Sequence, residues 1–379
     1  MSTAEKLPLH HIAMFLPSLV GGGAERVFLT LAGSFAQAGI SVDLVLAGAY
    51  GELMAQVGER INVIDLGKKR VLLSLPGLFT YIHKHKPQIL LTALPHANLL
   101  GIWAVKLARS QTRVIVSEHG LPLSMQQFSS DVKERVVSAL IKVCYPHAHA
   151  IVSVSDSSAR QLESMLGRCK INIKVIGNPI EMRRVEIQAQ MPVEHSWLKD
   201  KDCPVIVAAG RLHPHKDFPT LLRSLAVLNH TRKVKLILLG EGEQRAHLQA
   251  LAATLGLESL VDMPGFITNP LPYYCQADVF VLSSLLESCP MVLLEALACG
   301  TQVVSTNCGG PDEILVNGKF GGLVPPGDPQ ALAESISYRL DHPIPAYELR
   351  RRAMDFDLPR VTTRYLDLIA HVLSGGGSD

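Results

Sequence analysis

The sequence predicts an α/β protein built from two doubly wound parallel sheets, each covered by helices on both faces. Three observations predict it. Short β-rich runs alternate with longer amphipathic stretches along nearly the whole chain, the pattern of parallel strands joined by crossover helices. The alternation runs twice, broken at Gly177-Asn178-Pro179 and by a charged stretch of poor periodicity, Glu181 to Asp202, that reads as a linker. A chain of 379 residues that is 47% hydrophobic and 18% charged can also bury two sizeable cores. The expected limits are 1–180 for the first domain, 181–358 for the second, and 359–379 for a closing helix with a flexible tail.

Taken in order, the first half shows strand runs at His11 to Leu16, Val42 to Leu46, Asn62 to Asp65, Gln88 to Thr92, Arg113 to Ser117, Ala150 to Val154 and Ile173 to Ile176. The second resumes with Val205 to Ala208, Val234 to Leu239, Leu260 to Met263, Val279 to Leu282, Gln302 to Ser305 and Gly322 to Val324. Helical spacing returns from Arg360 to Leu373, and Gly375 to Gly377 ends it. Two such sheets are expected to hold a ligand at the carboxyl ends of their strands, in a crevice between the domains.

Composition excludes several classes. Seven cysteines, at 144, 169, 203, 275, 289, 299 and 308, form no CxxC pair, so reduced thiols in a cytoplasmic protein are expected. No HExxH or comparable ligand spacing announces a metal, and none is expected. The start lacks the basic flank and apolar core of a signal peptide, and the longest apolar tract, Ile89 to Val105, is interrupted by Pro95, His96 and Asn98. No transmembrane helix is expected. Residues 1–180 carry 18 Lys and Arg against 11 Asp and Glu, whereas the remainder carries 18 against 23. A basic first half suits an anionic acceptor or peripheral contact with the inner face of a membrane, and it suits a solvated surface equally well. Aromatics are only 5% of the chain and do not interleave with the cations, so nucleic acid is excluded as a partner.

Four strand-end loops carry the chemistry. Pro290 opens a helix that stops at Gly300, after the strand at 279–282. Its unpaired N–H groups make the segment Glu287, Ser288, Cys289, Pro290, Met291 and Val292 an anion site, with Glu287 before it and Glu295 about one and a half turns in. Ionised carboxylates suit the vicinal hydroxyls of a sugar and a ribose. From the residues alone, Glu287 is as readily a solvated loop acid and Glu295 an exposed helix acid. Gly210-Arg211-Leu212-His213-Pro214-His215-Lys216 offers a planar fork and a point charge for a diphosphate. Gly21, Gly22 and Gly23 let backbone approach a ligand or simply make a tight turn. The third glycine of a dinucleotide fingerprint falls on Arg26, which disfavours a nicotinamide dehydrogenase. Lastly, Ser117-Glu118-His119-Gly120 ends a strand, and His119 is either a cleft group or a satisfied structural histidine.

The setting E-S-C-P-M-V-L-L-E-A-L-A-C-G, with its glutamates eight positions apart, resembles the paired-glutamate signature of family 4 of the retaining nucleotide-sugar glycosyltransferases. Ser288 departs from it, since glycine is commoner there; serine still leaves its N–H available and is suited to cap the helix. Gly210-Arg211-Leu212 with Lys216 is similar to that family's basic diphosphate-binding motif, and Gly22-Gly23 to its loop reaching the donor. Leu239-Gly240-Glu241-Gly242 and Pro264-Gly265-Phe266 match softer positions: Glu241 near the nucleotide pocket, Phe266 where the base is read largely through backbone. Cys308-Gly309-Gly310-Pro311-Asp312-Glu313 resembles the loop that follows the paired glutamates, and reads equally well as a helix start.

The resemblance implies a GT-B fold of two Rossmann-like domains facing across a cleft, with the final helix crossing back to the first. It implies a retaining, metal-independent hexosyltransferase acting on a nucleoside diphosphate sugar, a UDP-sugar being expected, and a hydroxyl acceptor such as a lipid-linked sugar or a growing envelope polysaccharide. Arg211, Lys216 and the helix N-terminus would stabilise the departing diphosphate, Glu287 would hold the transferred sugar, Glu295 the ribose, and His119 would lie near the sugar. No carboxylate of the first half sits in a motif that would supply a general base, which also favours retention. A nucleotide-sugar 2-epimerase, a sugar phosphorylase and a non-catalytic nucleotide-sugar-binding subunit remain the alternatives.

Overall fold

The computed structural model describes residues 9–120, 132–167 and 171–375. The chain divides into two compact units, Met1–Pro179 with Leu358–Asp379, and Ile180–Asp357. In the first, β1 (His11–Leu16), β2 (Ser41–Leu46), β3 (Ile61–Asp65), β4 (Ile89–Ala93), β5 (Arg113–Glu118), β6 (Ala150–Ser153) and β7 (Ile173–Val175) form one parallel sheet in the order β3-β2-β1-β4-β5-β6-β7. The central strands are apolar on both sides, as a sheet covered on both faces demands: every residue of β4 is buried. Right-handed crossovers send the helices after β3 and β4 to one face and the helix after β1 to the other. The first face carries Leu75–His85, Pro95–Ala108 and Val132–Cys144; Leu78, Leu99 and Ile102 of these helices, with Tyr145 just after the last, share one core with Phe15, Leu90 and Val116. On the second face, helix Gly23–Gln37 packs against the closing helix Leu358–Leu373. There Phe35 meets Tyr365 edge-on at 6.3 Å and Ser34 Oγ lies 2.7 Å from Thr362 Oγ1.

The second unit repeats the plan with β8 (Val205–Ala209), β9 (Lys235–Leu239), β10 (Val261–Gly265), β11 (Val279–Leu282), β12 (Gln302–Thr306) and β13 (Gly322–Val324), all parallel, in the order β10-β9-β8-β11-β12-β13. Its core joins Leu221, Leu222 and Leu225 of helix Phe218–Asn229 to Ile206, Leu236 and Val279 of the sheet. Each expected strand run overlaps an observed strand, and the fold class is the α/β one that the alternation predicts.

The stretch 181–202 is not a linker. It folds into helices Met182–Gln188 and Ser196–Lys199 that belong to the second unit. Too short to show a period, it still buries Val185, Val193 and Leu198, and His195 Nε2 lies 2.9 Å from Asp262 Oδ2. Where the chain enters this unit it meets the segment by which it leaves, since Ile180 N–H donates to the Phe356 carbonyl at 2.8 Å. Among the described residues no helix is long and apolar enough to cross a membrane. The six described cysteines form no disulfide; Cys169 lies outside the described residues.

Candidate active site

In the second unit the strand order reverses between β8 and β11, so the loops after these neighbouring strands diverge to opposite faces and leave a crevice between them. The loop after β8 is shaped by its own residues. Leu212 is fully buried and pins it, Arg211 is left exposed, and Pro214–Lys216 makes a short 3-10 turn capped by His213, whose Nδ1 accepts from His215 N–H. Asp217 then takes a left-handed conformation (φ 45°) and caps helix Phe218–Asn229 through Thr220 N–H. That reversal brings Lys216 back over Gly210, where an added Cβ would stand 3.2 Å from Lys216 Cε.

The loop after β11 is tied to this turn. Ser283 Oγ donates to the Lys216 carbonyl at 2.8 Å and Leu285 N–H donates to the His215 carbonyl at 2.8 Å. As a result the Lys216 ammonium forms an ion pair and hydrogen bond with Glu287, whose Oε1 also accepts from Ser284 Oγ at 2.9 Å. Glu287 and Lys216 keep only 15% and 23% of their side-chain surface exposed, so the pair is sheltered yet reachable. From the other side, Glu287 N–H donates to the Cys308 carbonyl at 3.1 Å, and Gly310 N–H donates to the Glu287 carbonyl at 2.8 Å. A Cβ on Gly310 would stand 1.6 Å from the Ser288 carbonyl oxygen, so only glycine permits this approach. Burial pushes the neighbouring Cys308 thiol up to about 12, which keeps it an inert wall.

Helix Met291–Cys299 starts at this point and ends at Gly300 in the left-handed conformation (φ 79°). Its N-cap is Pro290, and no side chain caps it. Ser288, suited by type to that job, is buried two residues too early and does not do it. The first-turn N–H groups of Met291 and Val292 are thus left to water or an anion, beside Lys216 and Glu287. Glu295 is half-buried further along the helix.

Three sequence-predicted residues stand apart from this pair. The Arg211 side chain makes no hydrogen bond or ion pair among the described residues and is exposed. Glu241 accepts from Arg245 Nη1 at 2.6 Å, while Arg245 Nη2 donates to the Met263 carbonyl. Its carboxylate therefore braces Gly265 at the end of β10, and the four-residue step from Glu241 to Arg245 was the signal for that partner. Phe266, next in the chain, is 57% exposed.

The first unit has its own reversal, between β1 and β4. The loop after β1 enters helix Gly23–Gln37 with Gly22 as N-cap, and a Cβ on Gly22 would meet Glu25 Oε2 at 2.2 Å, whereas Gly23 has nothing within 4 Å. His119 lies at the end of β5, edge-on to Phe28 of that helix at 5.9 Å, with Nε2 3.0 Å from Ser117 Oγ. Burial pushes its pKa down to about 4, against the opposing pull of the Asn178 amide, so it is neutral at pH 7. Beneath it Glu118 is fully enclosed: Oε1 accepts from Gly120 N–H at 3.1 Å and Oε2 from the Tyr145 hydroxyl at 3.0 Å. Asn98 extends the network, donating to Tyr145 Oη at 2.9 Å and to the Ser117 carbonyl at 3.2 Å. Burial raises the Glu118 pKa, and the hydroxyl and backbone N–H donors pull the other way. Sequence reasoning passed over Glu118 and Ser284. Their signal was only adjacency, each lying within three residues of a residue it supports.

The family model for Glycosyltransferase Family 4 matches residues 21–184, and the model for Glycosyl transferases group 1 matches residues 193–355. The chain is a family 4 glycosyltransferase. It is 27% identical to the N-acetylgalactosamine-N,N'-diacetylbacillosaminyl-diphospho-undecaprenol 4-alpha-N-acetylgalactosaminyltransferase of Campylobacter jejuni, over 88% of this chain and 91% of that one. To the lipopolysaccharide core biosynthesis glycosyltransferase LpsE of Rhizobium meliloti it is 29% identical, over 92% and 96%. Its fold is shared with Anabaena HepE in complex with UDP, at a TM-score of 0.77 and 21% identity, covering 95% of this chain and 99% of that one. The glycosyltransferase thus has the GT-B fold, and the Lys216–Glu287 pair lies within its second matched region.

Proposed function

We propose that this glycosyltransferase moves a sugar from a UDP-sugar to a hydroxyl of a lipid-linked sugar or growing envelope polysaccharide, with retention at the anomeric carbon and without a metal ion. The observation that carries the reading is the Lys216–Glu287 pair at the strand-order reversal, beside an uncapped helix N-terminus. One group there suits phosphate and the other suits sugar hydroxyls, in contact. The nature of the relatives supports the substrates: the Campylobacter enzyme is named for a diphospho-undecaprenol-linked acceptor, LpsE for lipopolysaccharide core, and HepE was solved with UDP.

Negative charge grows on the distal phosphate as the glycosidic bond breaks. Lys216, held by its loop, and the N–H groups of Met291 and Val292 take it up as donors already aimed, and the exposed fork of Arg211 adds to them. The ion pair has a further consequence, because an arriving diphosphate must draw Lys216 part-way from Glu287. Its carboxylate is then released towards the sugar hydroxyls while Ser284 keeps it in place. The acceptor hydroxyl attacks from the leaving-group face and passes its proton to the departing phosphate oxygen. Neutral His119 contributes a hydrogen bond to the sugar rather than a charge. Glu295 holds the ribose, Phe266 lies against the base, and the basic first half touches the membrane that carries the acceptor.

The test is a titration with UDP, GDP and ADP in the presence of a chelator, followed by melting temperature. UDP at a hundredfold excess over its dissociation constant should stabilise the fold by about 2.7 kcal/mol. Glu295→Ala and the Arg211→Ala, Lys216→Ala double variant should lose that gain. If no nucleotide binds, or the variants bind as the parent does, the site assignment fails.

A further inference from the structure

We propose that the helical face of the first unit formed by Leu75–His85, Pro95–Ala108 and Val132–Cys144 docks on an anionic lipid surface. The proposal deepens the membrane contact suggested above by assigning it a surface, and it rests on the envelope-acceptor reading but not on the donor site. Charge is the first observation. Residues 66–117 contain eight Lys and Arg and not one Asp or Glu, a run that supplies two of the three helices. Lys68, Lys69, Arg70, Lys84 and Lys86 are exposed and make no ion pair among the described residues. A solvated surface normally mixes both signs, so this one is unbalanced by construction.

Apolar exposure is the second observation, and it is independent of the first. The described part of the first unit has eight exposed large hydrophobic side chains, and six of them belong to these helices or their lead-in: Leu72, Leu73, Phe79, Leu107, Val136 and Val143. Leu72 and Leu73 are each 60% exposed, in the 3-10 turn Val71–Ser74 that runs straight into helix Leu75–His85. Leu72, Pro76, Phe79 and His83 follow one another at helical spacing, and the Phe79 and His83 rings stack at 6.2 Å. Lys68, Lys69 and Arg70 flank this stripe at one end, with Lys84 and Lys86 at the other. Side chains that insert among acyl chains are thereby framed by cations that pair with lipid phosphates, the layout of an interfacial helix. A nucleic acid would have no use for the leucines, and an acidic protein surface would leave them wet.

Binding of the full chain to vesicles, measured by co-sedimentation, tests this. Vesicles of phosphatidylcholine alone should retain little protein, whereas adding phosphatidylglycerol should raise binding more than about tenfold at low salt, since several cations act together. The triple variant Lys68→Gln, Lys69→Gln, Arg70→Gln should lose the dependence on anionic lipid. The double variant Leu72→Ser, Leu73→Ser should lose the binding that persists at high salt. Both should keep the parent's UDP affinity, which shows that they fold and separates this proposal from the donor reading. Equal binding to both vesicle types, or variants that bind as the parent does, would overturn it. So would absence from both pellets with a dimer in gel filtration that the leucine variant dissociates, for the face would then belong to a second copy.

Discussion

The two units of this glycosyltransferase repeat one plan, and each reverses its strand order once, but the loops at the two reversals are built from opposite materials. In the second unit they carry formal charge: Lys216 against Glu287, an exposed Arg211 in the same loop as Lys216, and an uncapped helix start. In the first the loop after β1 carries three glycines, with Glu25 beside Gly22, and one strand further on, at the end of β5, stand a neutral histidine and Glu118, a carboxylate shut in by the Tyr145 hydroxyl and the Gly120 N–H. The difference teaches where the chemical demand lies. Under the proposed function, a donor diphosphate in the second unit calls for fixed charges, whereas an acceptor hydroxyl and a neutral sugar ring in the first call for shape and room for backbone to approach. Buried polar groups in the first unit hold its loops still instead of meeting ligand charge.

The comparison breaks most readily at Lys216. Lys216→Ala should lower turnover by about 10²–10³, since it removes a preorganised donor to the leaving group and strands the Glu287 carboxylate. An assay of donor hydrolysis and transfer measures it, and a fall below tenfold would place the leaving-group charge elsewhere. Glu287→Ala should act chiefly on kcat, while Glu295→Ala should weaken UDP binding by about tenfold or more, as loss of a charged hydrogen bond does. Calorimetry beside steady-state kinetics separates the two, and the comparison sharpens only if the effects fall on different constants.

Glycine substitutions probe the contrast in materials. Gly310→Ala puts a Cβ into the Ser288 carbonyl and should destabilise the fold by about 1–3 kcal/mol, read as a lower melting temperature together with weaker UDP binding. Gly23→Ala meets nothing within 4 Å, so its melting temperature should match the parent's, and any fall in turnover then reports ligand approach alone.

The smallest effect belongs to His119. Its folded pKa is depressed from 6.5 to about 4, so the stability it contributes is full above 6.5 and drains away as pH falls from there to about 4. Relative to His119→Gln, the parent should lose stability across that window and stay parallel to it above. Glu118, raised in pKa, acts with the opposite sign and is common to both proteins, so it cancels in the difference. Urea midpoints at several pH values decide the matter. Curves that stay parallel down to pH 4 would mean that water reaches the imidazole.

The sequence by itself determined the fold class and every strand, and it singled out the residue types of the candidate donor site. Apolar strand runs and proline and glycine punctuation are local signals, and charged groups at fixed spacing in strand-end loops stand out against an apolar chain. Only the tertiary structure decided which of those residues meet. Lys216 and Glu287 are separated by seventy-one positions, and they touch because β8 and β11 are neighbours at the reversal, a fact of pairing that no local window contains. Glu241 and Arg245 are the local counter-case, a pair four residues apart that the sequence did carry, whereas the stretch 181–202, read as a linker from its charge, folded onto the second unit once Val185, Val193 and Leu198 found a surface to cover. A side chain's type is written in the sequence. Its partner is chosen by whichever burial and hydrogen bonding the rest of the chain makes available.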